Sequence, residues 1–211
     1  MDDFEPRVVV LGAGGVGKSC LSIRYIKGTY EENYDPTIEE AYDKTIVVNG
    51  QPTRMQVVDT AGTEQFHAVI SDMYLKPNSG YLLAFALDDY ETLKALEPLY
   101  KQLRNWESAE RQRTGRRFKS PVCLVGTKCD LEERTLARDK LEKQAVTWKL
   151  SYFETSAKYS VGVDAPFQHL TEQLVELAAE QQAENPTKAW KGGRGKKDNK
   201  KKDKKRICVI M

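Results

Sequence analysis

Apolar residues enter this chain in two rhythms. Residues 7–12 (RVVVLG) form a β-branched run that ends in glycine, and its lack of polar interruption predicts a strand covered on both faces. Across residues 18–27 the apolar positions, Leu21 and Tyr25 among them, recur at helical spacing. Residues 41–48 and 53–59 alternate around Asn49-Gly50, a dipeptide that strongly predicts a two-residue hairpin. Residues 81–87 (YLLAFAL) and 121–126 (PVCLVG) are again continuous apolar strands. Between them, residues 91–106 place Leu93, Leu96, Tyr100 and Leu103 at helical spacing, and residues 105–120 (NWESAERQRTGRRFKS) predict a polar, basic surface loop. Two more helices are predicted over 137–148 and 165–179, with a short strand over 151–155 between them.

Strand and helix alternate, with one early hairpin. That order predicts an α/β fold: a doubly wound, mostly parallel six-stranded sheet with one antiparallel edge strand. Ligands bind such sheets at the carboxyl ends of the strands, and the motifs below all fall at those ends. From Asn185 onward Pro, Gly and Lys dominate. The expected organisation is one globular domain over 1–183 and a disordered tail over 184–211.

Gly12-Ala-Gly-Gly-Val-Gly-Lys18-Ser19 fits the pattern G-x-x-x-x-G-K-[ST] between a predicted strand and a predicted helix. The glycines let backbone N–H groups converge on phosphate oxygens, and the helix N-terminus adds a favourable dipole. Gly14, Gly15, Val16, Gly17, Lys18, Ser19 and Cys20 would line those oxygens. Lys18 would reach the β- and γ-phosphates, and the Ser19 hydroxyl would bind Mg²⁺. The motif predicts a nucleoside triphosphate and leaves the base open.

Thr127-Lys128-Cys129-Asp130 follows the strand at 121–126. A carboxylate there can accept from the ring N–H and the exocyclic amine of guanine together, whereas adenine offers no such donor pair. With this motif the chain resembles the Ras-like small GTPases from about residue 7 to residue 179. The resemblance implies the small G domain of P-loop NTPases, GTP hydrolysis and a Mg²⁺ cofactor. The family's motif usually begins with Asn, and Thr127 in its place is expected to weaken the brace between the base loop and the phosphate loop. Glu154-Thr-Ser-Ala-Lys158 is similar to the family's last nucleotide loop. By resemblance, the Ala157 N–H contacts the guanine oxygen, Lys128 and Lys158 pack along the base or ribose, and Tyr30 sets a ring against the guanine. Leu131 and Ser156 complete that pocket.

Two further segments resemble the family's switches. Tyr34-Asp-Pro-Thr37 is similar to switch I, whose Thr binds Mg²⁺ and the γ-phosphate only in the triphosphate state. Asp59-Thr60-Ala61-Gly62 ends a predicted strand; by resemblance Asp59 joins the metal shell with Ser19 and Thr37, and the Gly62 N–H meets the γ-phosphate. Thr63 stands where most members carry the Gln that orients the attacking water, and Thr is too short to reach the same place. This departure is similar to the Rap branch. It implies very slow intrinsic hydrolysis, with an activating protein supplying the missing polar group. Gly14 lies where the γ-phosphate and the water meet, so Gly14, Lys18, Gly62 and Thr63 are the expected catalytic positions. Tyr34, Asp35, Pro36, Thr37, Ile38, Glu39, Glu40, Ala41 and Tyr42 are the expected effector surface, in which the acidic pair Glu39-Glu40 meets a basic edge strand. Exchange factors and activating proteins are the other implied partners.

Charge adds a second element. The chain carries 33 Lys and Arg against 31 Asp and Glu, for a net +2. That balance conceals a segment from Lys188 to Arg206 with eleven basic and two acidic residues, a local +9, following a body of −7. The last residues, Cys208-Val-Ile-Met211, form a C-a-a-X box whose Met favours farnesyl. One lipid gives marginal binding, so the basic run is the expected second signal. The tail contains no other Cys to acylate, and residues 188–207 contain no Ser, Thr or Tyr to phosphorylate. The expected location is the cytoplasmic face of the plasma membrane, held by a lipid anchor on an anionic leaflet. The expected protein is a monomer without a nucleic-acid partner, because the basic run lacks interleaved aromatics apart from Trp190. The acidic N-terminus predicts no signal peptide, and the four dispersed cysteines predict neither disulfides nor a zinc site. His67 and His169 have no partner at ligand spacing and are expected to pack or face solvent.

Overall fold

The structure, a computed structural model, describes residues 4–30, 39–61, 73–115, 119–135 and 137–184. In chain order the elements are β1 (Arg7–Leu11), α1 (Lys18–Lys27), β2 (Glu39–Val48), β3 (Gln51–Thr60), β4 (Ser79–Ala86), α2 (Tyr90–Lys94) and α3 (Leu96–Thr114). They are followed by β5 (Val122–Thr127), α4 (Arg138–Trp148), β6 (Ser151–Glu154) and α5 (Asp164–Glu184). The six strands form one sheet in the order β2-β3-β1-β4-β5-β6. Only β2 and β3 pair antiparallel, across a hairpin in which Asn49 (φ 51°) and Gly50 (φ 75°) both take the positive φ that such a turn requires. All other neighbours are parallel, as the alternation of strand and helix predicts.

The period-2 geometry of a strand sorts the core into two layers. In β1, Val8 and Val10 face the layer that holds Leu21, Tyr25, Phe167 and Leu170 of α1 and α5. Val9 and Leu11 face the other layer, with Leu93, Leu96, Leu99, Leu103 and Leu141 of α2, α3 and α4. Every residue of β4 is buried, because helices cover both faces and strands flank both edges. Tyr25 stacks on Phe167 with centroids 4.0 Å apart, joining α1 to α5. Among the described residues no helix is long and apolar enough to cross a membrane.

Two sequence expectations are corrected here. The single helix expected over 91–106 is two helices, α2 ending at Lys94 and α3 beginning at Leu96. Pro98 explains the break, because its ring would collide with the carbonyl of Lys94 in a continuous helix and it has no N–H to donate. The surface loop expected over 105–120 is helical as far as Thr114. Its charges are spaced for pairing along the helix: Glu97–Lys101 at 2.6 Å, Arg104–Glu107 at 2.7 Å and Glu110–Arg113 at 2.5 Å. Glu107 is also buried and accepts from the Ser120 N–H at 2.6 Å, which ties α3 to the start of β5. Gly115 ends the helix in a left-handed conformation. Trp106 therefore lies within α3, packed with Tyr100 and Trp148 against the core edge.

Candidate nucleotide site

The carboxyl ends of β1, β3, β5 and β6 converge on one edge of the sheet. The Gly12–Gly17 turn leaves β1 there and runs into α1. A Cβ at Gly12 would lie 2.2 Å from the carbonyl oxygen of Ala84, so the turn passes too close to β4 for any side chain. Gly17 caps α1 at φ 89°, and neither a side-chain cap nor an acidic residue occupies the first turn. A helix start left this way presents N–H groups and a positive dipole end, which fits an anion.

Lys18 is buried at 4% exposure, and its Nζ donates to the Ala13 carbonyl at 2.8 Å, across the turn. Burial lowers its pKa to about 8, against the opposing pull of Asp59. A phosphate beside it would favour the charged form. Asp59 is fully buried next to the end of β3, opposite Val10 of β1. The following Thr60 donates its hydroxyl to the Val10 carbonyl at 2.7 Å and holds that strand end against the phosphate turn. The Ser19 hydroxyl and the Asp59 carboxylate are hard oxygen donors of the kind that Mg²⁺ takes, so the described residues fit the cofactor that the motif implies.

The base loop is braced to the phosphate turn through Thr127. The Thr127 hydroxyl lies 2.5 Å from the Val16 carbonyl oxygen and 2.9 Å from that of Phe85, sharing its proton between the phosphate turn and β4. Lys128 takes φ 60°, the Leu131 N–H closes the turn on the Lys128 carbonyl at 3.1 Å, and Asp130 stands exposed at its tip. The Cys129 N–H donates to the Thr155 carbonyl at 3.0 Å, linking this loop to the next. Lys128 Nζ pairs with Asp88 at 3.1 Å, a partner with no motif to announce it. In the 156–161 turn, Ser156 and Val161 exchange two backbone hydrogen bonds of 2.9 Å, and Ala157 and Lys158 lie between them. Beneath it, Glu154 pairs with Arg134 at 2.9 Å. Burial pushes the Glu154 carboxyl up, but hydrogen bonds from Arg134 and Tyr152 hold it below its ordinary range.

Arg24 is the site residue that sequence reasoning missed. From α1 its Nε donates to the Ala157 carbonyl at 2.6 Å and another guanidinium nitrogen to the Lys158 carbonyl at 3.0 Å. A third N–H bonds Gly28 at 2.6 Å, and the guanidinium lies 5.9 Å from the Tyr30 ring centroid. A single Arg on the polar side of a helix carries no motif, so no pattern in the sequence singles it out. Among the described residues, burial pushes the thiols of Cys20, Cys123 and Cys129 above their ordinary range.

At the sheet edge, β2 pairs with β3 alone among the described residues. Its acidic pair is engaged locally: the Tyr74 hydroxyl donates to Glu39 at 2.7 Å and the Tyr42 hydroxyl donates to Glu40. Burial and the Glu39 carboxylate push the Tyr74 phenol up to about 12. Tyr34, Asp35, Pro36, Thr37, Ile38, Gly62, Thr63, His67 and Cys208 lie outside the described residues. A family model described as the Ras family matches residues 7–176, which takes in every element above as far as the middle of α5. The chain therefore belongs to the Ras family, and it is a small GTPase of the P-loop NTPase fold, a switch that binds GTP and GDP.

Proposed function

We propose that this protein is a Mg²⁺-dependent GTPase whose intrinsic hydrolysis is very slow, close to the Rap branch in that respect, and which acts as a switch on the cytoplasmic face of the plasma membrane. The observation that carries the nucleotide reading is the Thr127–Val16 contact, which joins a base loop to a phosphate cradle. In this reading Lys18 meets the β- and γ-phosphates, Asp130 accepts from guanine, and the Ala157 N–H meets the guanine oxygen. Ser19, Thr37 and Asp59 would hold Mg²⁺, which when bound offsets phosphate charge. The Gly62 N–H and Thr37 would contact the γ-phosphate, and its loss releases both loops. The site needs no general base, because positioning and charge stabilisation supply most of the acceleration in phosphoryl transfer.

Thr63 decides how fast the switch resets. Its side chain is too short to orient the attacking water, so an activating protein would complete the site. Replacing Thr63 with Gln should raise single-turnover GTP hydrolysis, without any partner, by about tenfold or more. An unchanged or slower rate would overturn this account of Thr63. Effectors would engage the outer edge of β2 beside switch I, which no described strand pairs with, by strand addition.

The anchor would be farnesyl on Cys208 together with the +9 segment of Lys188 to Arg206. Each Lys or Arg near an anionic leaflet contributes roughly 1 kcal/mol, and at about 1 M salt the screening length falls to about 3 Å. Farnesylated protein should therefore bind vesicles rich in phosphatidylserine at low salt and leave them at high salt in a sedimentation assay. Retention at high salt would mean that the basic run is not the second signal.

A further inference from the structure

Arg24 joins three parts of the site with one side chain. Its guanidinium bonds the carbonyls of Ala157 and Lys158, at 2.6 Å and 3.0 Å, and that of Gly28 at 2.6 Å, just past the end of its own helix. Arg can do this because its planar fork carries five N–H donors in fixed directions, whereas a Lys ammonium is a single point charge on a flexible stem. Ala157 is thereby held through both of its flanking peptides. The Ser156 carbonyl, which shares a peptide plane with the Ala157 N–H, accepts from the Val161 N–H at 2.9 Å. The Ala157 carbonyl is fixed by Arg24. The first restraint belongs to the turn itself, and the second comes from α1, 133 residues away.

The helix is a rigid support for such a contact. Leu21 and Tyr25 of α1 are buried in the core, and Tyr25 stacks on Phe167 of α5. The base loop has its own anchors elsewhere, through Thr127 to Val16 and through the Cys129 N–H to Thr155. Asp130 is thus positioned by contacts that do not involve Arg24, while the Ala157 carbonyl is held by Arg24. We propose that Arg24 is a positioning residue that aims the Ala157 N–H at the 6-oxo group of the base. Base recognition is then divided between two separately supported devices: Asp130 for the ring N–H and 2-amino group, and the Arg24–Ala157 pair for the 6-oxo group. This rests on the guanine reading of the site.

Three diphosphates probe the two devices: GDP, inosine diphosphate, which lacks only the 2-amino group, and 2-aminopurine riboside diphosphate, which lacks the 6-oxo group and with it the ring N–H, so the 6-oxo contact is read from the change in preference between wild type and variant. Dissociation constants are measured with the full chain, and GDP release is followed with a fluorescent analogue. The wild type should prefer GDP over both others. If it does not discriminate against the 2-aminopurine nucleotide, the guanine reading itself fails, and the inference falls with it. In Arg24→Ala the preference for GDP over the 2-aminopurine nucleotide should fall about tenfold and GDP release should quicken, at the worth of one good hydrogen bond. The preference for GDP over inosine diphosphate should stay as in the wild type. Arg24→Lys, which keeps charge but loses the fork, should recover only part of the 6-oxo discrimination. If both preferences are unchanged in Arg24→Ala, Arg24 does not position the reader; if both fall together, it supports the whole pocket and not one device. Full recovery in Arg24→Lys would show that charge, and not the fork, is what matters. Each of these last three results overturns the proposal.

Discussion

Asp130→Asn should turn a guanine site into one that favours xanthine. A carboxylate accepts two hydrogen bonds from guanine, at the ring N–H and the 2-amino group. An Asn amide offers one acceptor and one donor, so the donor faces the 2-amino group and the second bond becomes a clash of like groups. Xanthine carries an oxygen at that position, and its ring N–H and 2-oxo group match the amide as guanine matches the carboxylate. Charge-assisted hydrogen bonds contribute about 1.5–3 kcal/mol each, so turning the second into a donor–donor clash and the first into a bond to a neutral amide should cost GDP roughly 10²- to 10⁴-fold in affinity. The turn that presents Asp130 is built from backbone bonds of Leu131 and Cys129, so the substitution leaves its support intact. Competition of GDP and xanthosine diphosphate for the purified variant measures the switch. A variant that still prefers GDP would remove Asp130 from the base-reading role.

Gly12→Ala should damage the fold itself. The added Cβ would meet the Ala84 carbonyl oxygen at 2.2 Å, far inside van der Waals contact. Neither side can yield cheaply: β4 is buried throughout and hydrogen-bonded to β1 on one edge and β5 on the other. A forced shift of packed backbone costs about 3 kcal/mol or more, which in a domain of this size is roughly 10 °C in Tm. Gly115→Ala is the control, because Gly115 has a positive φ of 67° and, among the described residues, no atom within 4 Å of an added Cβ. It should lose only the left-handed strain, about 1 kcal/mol. Gly12 takes φ 154°, so its variant carries strain as well as the clash, and in thermal melts with both variants saturated with nucleotide the excess loss in Gly12→Ala reports the clash. Equal losses would show that the close approach to β4 is not what requires glycine at position 12.

The strands were legible because burial writes itself into composition. β1, β4 and β5 are covered on both faces and so read as unbroken apolar runs, and the β2–β3 hairpin announces itself by Asn49-Gly50. The helix over 105–114 was not legible as one. Its exposed surface is mostly polar or charged, and the pairing of Glu110 with Arg113 that supports it looks, in a linear string, like a solvated loop. The reverse error joined α2 to α3, where the apolar rhythm runs on through a backbone that Pro98 interrupts.

The nucleotide site divides along the same line. By itself the sequence determined the phosphate turn, because its glycines, Lys18 and Ser19 are contiguous and a strand-to-helix turn presents them together. It determined that Asp59 and Asp130 stand at strand ends for the same local reason. Only the tertiary structure decided how these pieces are held to one another. The brace from Thr127 to Val16 spans 111 residues, and the clamp from Arg24 to Ala157 spans 133. The hydrogen bond that engages Glu39 comes from Tyr74, across 35 residues. Such contacts depend on strand order and register, which bring distant residues within about 3 Å. Local periodicity specifies which face a residue takes, but not which residue it will meet there.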